Sequence, residues 1–320
     1  MKNILVFVEL LDNEVTDLSL QCLTRARELA DGVGATVQCV VIGSQVDSAC
    51  DTLARYGADK VWSADDVQLK NYSASVYQHL IVDCVRQSAP EFILFPSSTQ
   101  GNDCAATVAA ALRAACVLEC KDIHCEGTSL TLKRTEFDGK VMTSFTAVPG
   151  ATIVATQRDG SVEVKENRKT PARAKLNVTM DGAARAARVI SQEIAKKTVD
   201  LKAAKIIVTA GAGVGSKENF KVIEDLAQAL GGEIAATRPV VDAGWATPDR
   251  QVGQTGATVR PDLYIACGVS GAVQHRVGMM DAKTIIAINT DASAPIFKIA
   301  NYCIVGDLNA VLPKLTKLLT

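Results

Sequence analysis

The chain has 320 residues, 48% of them apolar and few aromatic, and a formal net charge of -1. So even a balance of charge supplies no global field for nucleic acid or an anionic membrane, and neither is an expected partner. The length suits two α/β domains of roughly 120 to 200 residues, and the Ala, Val and Ile content suits buried parallel strands rather than a disulfide scaffold.

Met1, Lys2 and Asn3 lead directly into the apolar run 4–8, which has strand length and no cleavage site. No apolar run reaches about 18 residues. The expectation is a cytoplasmic protein with no membrane insertion. Residues 4–8, 37–41 and 92–95 read as strands, and residues 16–30 and 73–87 have helical spacing, the first opened by Thr16 and Asp17. Gly101, Asn102 and Asp103 are expected to open a small-residue helix over residues 104–115. This alternation is the signature of a parallel sheet wrapped by helices.

From residue 125 to 164 the texture becomes alternating strands with glycine punctuation, including a turn at Asp138 and Gly139, so antiparallel strands are expected to complete the first domain. The basic stretch 165–175 lacks an apolar period and reads as a solvated linker or surface segment. The ten cysteines are scattered through apolar contexts and read as reduced, buried thiols. The one cluster, Cys116, Cys120, His124 and Cys125, lacks a Cys-x2-Cys pair, so no metal is expected.

A second α/β unit begins near Ala204. Ile206, Ile207 and Val208 read as a strand that runs into Gly211-Ala212-Gly213-Val214-Gly215-Ser216, and Phe220, Ile223, Ala227 and Leu230 share one face of a helix over residues 217–230. Strands follow at 263–266, 284–288 and 302–305. The fold class is therefore α/β, two Rossmann-like parallel-sheet domains with additional antiparallel strands in the first. The boundary falls near residues 190–200, dividing the chain into 1–195 and 196–320.

The Gly211, Gly213 and Gly215 turn could cradle a phosphate, yet its spacing is not a full dinucleotide fingerprint and no acidic residue ends the next strand. Open α/β sheets bind ligands at their carboxyl edges, where four segments concentrate polar and glycine residues: 237–239, 251–256, 268–275 and 289–291. A helix is expected to open near Ser270 with its positive end toward an anion, and Gln274 and His275 in its first turns.

These segments, in this order, resemble the C-terminal domain of electron transfer flavoprotein alpha subunits. The blocks are Arg238-Pro239-Val240-Val241-Asp242-Ala243-Gly244-Trp245, Gln251-Val252-Gly253-Gln254-Thr255-Gly256, Leu263-Tyr264-Ile265-Ala266, Val269-Ser270-Gly271-Ala272-Val273-Gln274-His275, Thr284-Ile285-Ile286-Ala287-Ile288-Asn289 and Ala294-Pro295-Ile296-Phe297. They cover most of residues 205–313, while residues 1–190 match in texture and length.

The resemblance implies FAD bound by the second domain. It implies that the Arg238 guanidinium lies against the flavin ring, that the Thr255 hydroxyl reaches flavin N5 from a turn shaped by Val252, Gly253 and Gln254, and that His275 lies near the pyrimidine oxygen as a source of positive charge. It also places Thr237, Ser270, Gly271, Ala272, Val273, Gln274, Asn289, Asp307 and Leu308 around the cofactor, with Asp307 open to a second reading as a helix cap. Ala212 stands where many members carry an arginine approaching the phosphates, and the Gly213 and Gly215 amides are the expected substitutes. Met280 replaces a frequent lysine on an expected exposed helix end.

No catalytic nucleophile or base is implied. The resemblance describes an electron shuttle working as a heterodimer with a beta subunit, whose first domain meets that partner. It would take electrons from acyl-CoA-type or other dehydrogenases and deliver them to a quinone reductase or other acceptor. The alternatives are an electron-bifurcating form oxidising NADH, a nicotinamide-dependent oxidoreductase, and a non-catalytic adenine-nucleotide-binding protein.

Overall fold

Ile4, Leu5, Val6, Phe7 and Val8 are all buried, so β1 (Asn3–Val8) packs on both faces, as the middle strand of a parallel sheet must. The structure, a computed structural model, describes residues 1–127, 129–137, 140–148, 150–178, 189–190 and 199–319, and divides into Met1–Gln192 and Glu193–Thr320.

In the first unit β1 is followed by a short hairpin, β2 (Leu10–Leu11) and β3 (Glu14–Val15), then α1 (Asp17–Val33), β4 (Thr36–Gly43), α2 (Asp47–Arg55), β5 (Lys60–Asp65), α3 (Ala74–Ser88), β6 (Phe92–Pro96) and α4 (Thr99–Leu112). Thr16 caps α1 by accepting the Ser19 amide, and Gly34 ends it at φ 71°. After β7 (Ala115–Cys120), three strands, β8 (Asp122–Glu126), β9 (Ser129–Glu136) and β10 (Val141–Thr146), form the expected antiparallel sheet. The turn expected at Asp138 and Gly139 lies outside the described residues. β11 (Ile153–Gln157) returns to the main sheet and β12 (Ala172–Lys175) closes it, in the parallel order β12-β5-β4-β1-β6-β11-β7.

Two expectations are corrected here. The helix placed at 104–115 starts at Thr99, because the Ser98 hydroxyl accepts the Gly101 amide at 2.8 Å. Gly101 sits inside the helix because a Cβ there would stand 1.9 Å from the Pro96 carbonyl oxygen. The basic surface segment is also more ordered than a linker: Glu166 pairs with Arg55, Lys169 with Asp59 and Arg173 with Asp51, and its end forms β12 along β5.

The second unit contains β13 (Ile206–Ala210), α5 (Lys221–Leu230), β14 (Glu233–Ala236), α6 (Arg238–Asp242), β15 (Leu263–Cys267), α7 (Val273–Arg276), β16 (Thr284–Asn289), β17 (Tyr302–Val305) and α8 (Leu308–Leu319). All pairs are parallel, in the order β14-β13-β15-β16-β17. Ile223, Leu226 and Ala227 of α5 pack with Leu308 and Leu312 of α8 on one face of the sheet, while Tyr264, Val252, Met279 and Ile296 fill the other. Met280 is exposed, as expected. Among the described residues no helix is long and apolar enough to cross a membrane.

Candidate functional site

The chain leaves β13 toward β14 and then crosses back to β15, so its direction across the sheet reverses between β13 and β15 and a crevice opens at their carboxyl ends. The two loops there touch through backbone. The Gly213 amide donates to the Gly268 carbonyl at 3.0 Å, and a Cβ on Gly211 would lie 2.2 Å from that same oxygen. Gly268 itself has φ +64°, so three glycines together permit the approach.

The four carboxyl-edge segments converge on one cavity of about 680 Å³. Of the expected site residues, Thr237, Arg238, Val252, Gly253, Gln254, Thr255, Ser270, Ala272, Gln274, His275 and Asn289 line it. Gly271, Val273, Asp307 and Leu308 do not. Gly271 packs beneath the loop, where a Cβ would stand 2.2 Å from the Ile296 nitrogen. Leu308 is in the core, and the Asp307 carboxylate caps α8 by accepting the Asn309 amide at 2.9 Å. Gln251, Asp291, Ala294 and Pro295 also line the cavity. Gln251, Ala294 and Pro295 fall inside the blocks that carry the resemblance, and Asp291 inside the carboxyl-edge segment 289–291, which were the available signals.

The turn bearing Thr255 is held from three sides. The Val252 amide donates to Ala236 at 3.0 Å, the Gln254 amide to Gln274 at 2.7 Å, and the Gln251 side-chain amide to the Thr255 hydroxyl at 2.9 Å. Arg238 begins α6 with its side chain 67% exposed at the cavity mouth and its Nε 3.5 Å from the Asp242 carboxylate. Beside it Thr237 is buried, and its hydroxyl has no hydrogen-bond partner among the described residues. Asn289 is fixed by donating to Val269 at 2.9 Å and accepting the Asp291 amide at 3.0 Å.

His275 departs from the expectation. The helix expected to open at Ser270 is a single turn beginning at Val273, because Gly268 and Gly271 bend the backbone at positive φ before it. The His275 ring is buried, with Nδ1 3.0 Å from the Val252 carbonyl and Nε2 3.1 Å from the Tyr264 hydroxyl. Burial pushes its pKa down to about 4, so the ring is neutral at pH 7 and adds no positive charge. Arg238 is then the one cationic side chain among the described lining residues.

The glycine turn is corrected as well. The Gly213 amide is spent on Gly268 and the Gly215 amide on the Ala212 carbonyl at 3.0 Å, so neither is free to substitute for a phosphate-binding arginine. What the cavity offers a ligand is an apolar bed, a buried hydroxyl at Thr237, a fixed hydroxyl at Thr255 and a cation at its mouth.

Comparison with known proteins gives concordant matches. Residues 4–181 match the family described as the electron transfer flavoprotein domain, and residues 200–280 match the electron transfer flavoprotein FAD-binding domain. The electron transfer flavoprotein subunit alpha of Clostridium acetobutylicum is 38% identical, with 98% of this chain and 96% of the relative covered. That of Bacillus subtilis is 38% identical over 99% and 97%. Protein FixB of Clostridium saccharobutylicum is 39% identical over 98% and 95%.

Proposed function

Because the chain belongs to the electron transfer flavoprotein alpha-subunit family, we propose that the cavity of its second unit holds FAD and that it shuttles electrons as a heterodimer with a beta subunit. The observation that carries this reading is the convergence of Thr237, Arg238, Thr255 and Asn289, from three separate segments, on one cavity. The residues fit the cofactor: an orphaned buried hydroxyl at Thr237 awaits a partner beside the cavity.

FAD, when bound, supplies the electron-accepting chemistry. The chain holds and tunes it. Arg238 sets a permanent positive charge at the mouth, which favours a ligand that gains negative charge. Thr255 presents a hydroxyl whose oxygen is already occupied by Gln251, so its hydrogen is free to be donated into the cavity. No nucleophile or general base is invoked, which suits a carrier.

The partner part of the proposal has its own support. In the first unit Phe137, Val141, Met142, Phe145 and Val148, on and around the antiparallel sheet, are exposed apolar side chains of the kind a protein partner covers. Acyl-CoA-type or other dehydrogenases as donors, a quinone reductase or other acceptor, and a cytoplasmic location complete the reading. An absorption spectrum of the protein co-purified with its beta subunit, followed by stepwise anaerobic reduction, tests it. A flavin spectrum that bleaches reversibly is expected, and a colourless protein binding only adenine nucleotides would overturn it.

A further inference from the structure

A carbonyl oxygen can only accept a hydrogen bond, so the contact between His275 Nδ1 and the Val252 carbonyl places the ring proton on Nδ1. In a neutral ring Nε2 is then an acceptor, and the group facing it at 3.1 Å is the hydroxyl of Tyr264, on β15. Tyr264 is fully buried and His275 is 7% exposed, so no bulk water competes for either bond. The ring thus ties three pieces together: β15 through Tyr264, α7 through its own backbone, and the Thr255 turn through Val252.

We propose that Tyr264 is a positioning residue for the cofactor site: its hydroxyl donates to His275 Nε2, holds the ring whose Nδ1–H bonds the Val252 carbonyl, and through it anchors the Val252–Gly256 turn that presents Thr255. Tyr264 is not among the residues that line the cavity. Its action is indirect. Without the hydroxyl, Nε2 becomes a buried acceptor with no donor, and the ring that bonds the Val252 carbonyl loses its tie to β15. The neighbouring Gly253 and Gly278 backbones are in close contact, so a shift of Val252 is transmitted to the turn rather than absorbed.

The inference rests on the flavin reading for the meaning of the turn, and the test separates the two. In the full-length chain co-purified with its beta subunit, the His275 tautomer is read from ring 15N shifts, and FAD affinity is measured by titration, for wild type and for Tyr264→Phe. The expected result is a wild-type Nδ1–H tautomer with a hydrogen-bonded Nε2, and a folded variant that keeps the tautomer but shows the Nε2 shift of an unbonded acceptor and about tenfold weaker FAD binding. A wild-type Nε2–H tautomer or imidazolium at pH 7 overturns the inference, as does a folded variant with an unchanged Nε2 shift or unchanged affinity. Should the variant not fold, the wild-type Nε2 shift alone decides, that of a hydrogen-bonded acceptor in favour and that of an unbonded or protonated nitrogen against. Failure of the flavin reading looks different, since wild type would then bind no FAD whatever its tautomer.

Discussion

The side-chain amide of Gln251 donates to the hydroxyl of Thr255 across 2.9 Å, which leaves the Thr255 hydrogen available to donate. An oxygen that already accepts keeps one hydrogen to donate, and Thr255 lines the cavity. Thr255→Val removes that donor while keeping the side-chain shape. Loss of one such bond costs about 1 kcal/mol, so FAD affinity should fall roughly fivefold and the bound flavin's absorption maxima should move. Gln251→Leu should move the spectrum the same way by less. Unchanged titrations and spectra for Thr255→Val would take its hydroxyl out of the site.

Arg238 contributes charge more than contact. Its side chain is 67% exposed and only loosely paired with Asp242, so Arg238→Ala should leave FAD bound. The reduced cofactor then loses a neighbouring cation, and the potential should fall. At this exposure screening limits the change to at most roughly 60 mV, the equivalent of about 1.4 kcal/mol for one electron. Potentiometric titration at low and high ionic strength checks both the sign and the screening.

The contact between Gly211 and Gly268 should be intolerant of any side chain. A methyl at 211 would overlap the Gly268 carbonyl oxygen, with backbone rather than a movable side chain on the far side. Gly211→Ala should therefore destabilise the second unit by about 3 kcal/mol or more and loosen FAD with it. Gly34→Ala, at a helix end with nothing near its missing Cβ, should cost only the strain of a left-handed conformation, about 1 kcal/mol. Urea unfolding of the two variants gives the comparison.

His275 makes the second unit sensitive to acid. Its pKa is about 4 in the fold, against an ordinary value near 6.5. Between those values the unfolded chain binds more protons than the folded one, so stability from this group is complete above pH 6.5 and declines as pH falls to 4. The loss from this one group is at most about 3 kcal/mol. His275→Gln should be less stable at pH 7 yet show a shallower decline toward pH 4, measured by denaturant unfolding followed at Trp245. Parallel declines in the two proteins would mean that His275 is not the group responsible.

Much of this arrangement is legible in residue order. Continuous apolar runs such as 263–266 and 284–288 fall within one residue of β15 and β16, because a strand buried on both faces leaves no alternation to misread. The ligand edge is legible too, since its glycines and small polar residues follow each strand. The state of His275 is not. Its charge depends on burial, and its partner Tyr264 in sequence is one apolar residue among several in a strand and shows its hydroxyl's role only when packed against the ring. Gly101 misleads for a similar reason: a glycine that reads as a turn is a helical position crowded by a carbonyl from the preceding strand. In both cases a contact between elements, rather than a local preference, decides the outcome.

Ala212 is the position where this chain has the most to gain. It lies exposed in the turn after β13 and lines the cavity, but its side chain carries no charge, and the Gly213 and Gly215 amides beside it are already bonded within the protein. If the phosphates of FAD run over this turn, they do so without a cation from it. Ala212→Arg should then supply a charge-assisted contact and tighten FAD roughly tenfold at low ionic strength, with a steeper loss on adding salt than wild type shows. The flavin potential should hardly move, because the phosphates lie away from the ring, whereas Arg238→Ala should move the potential and leave affinity nearly intact. Equal affinities for Ala212→Arg and wild type at every salt concentration would mean that the phosphates take another path across the cavity.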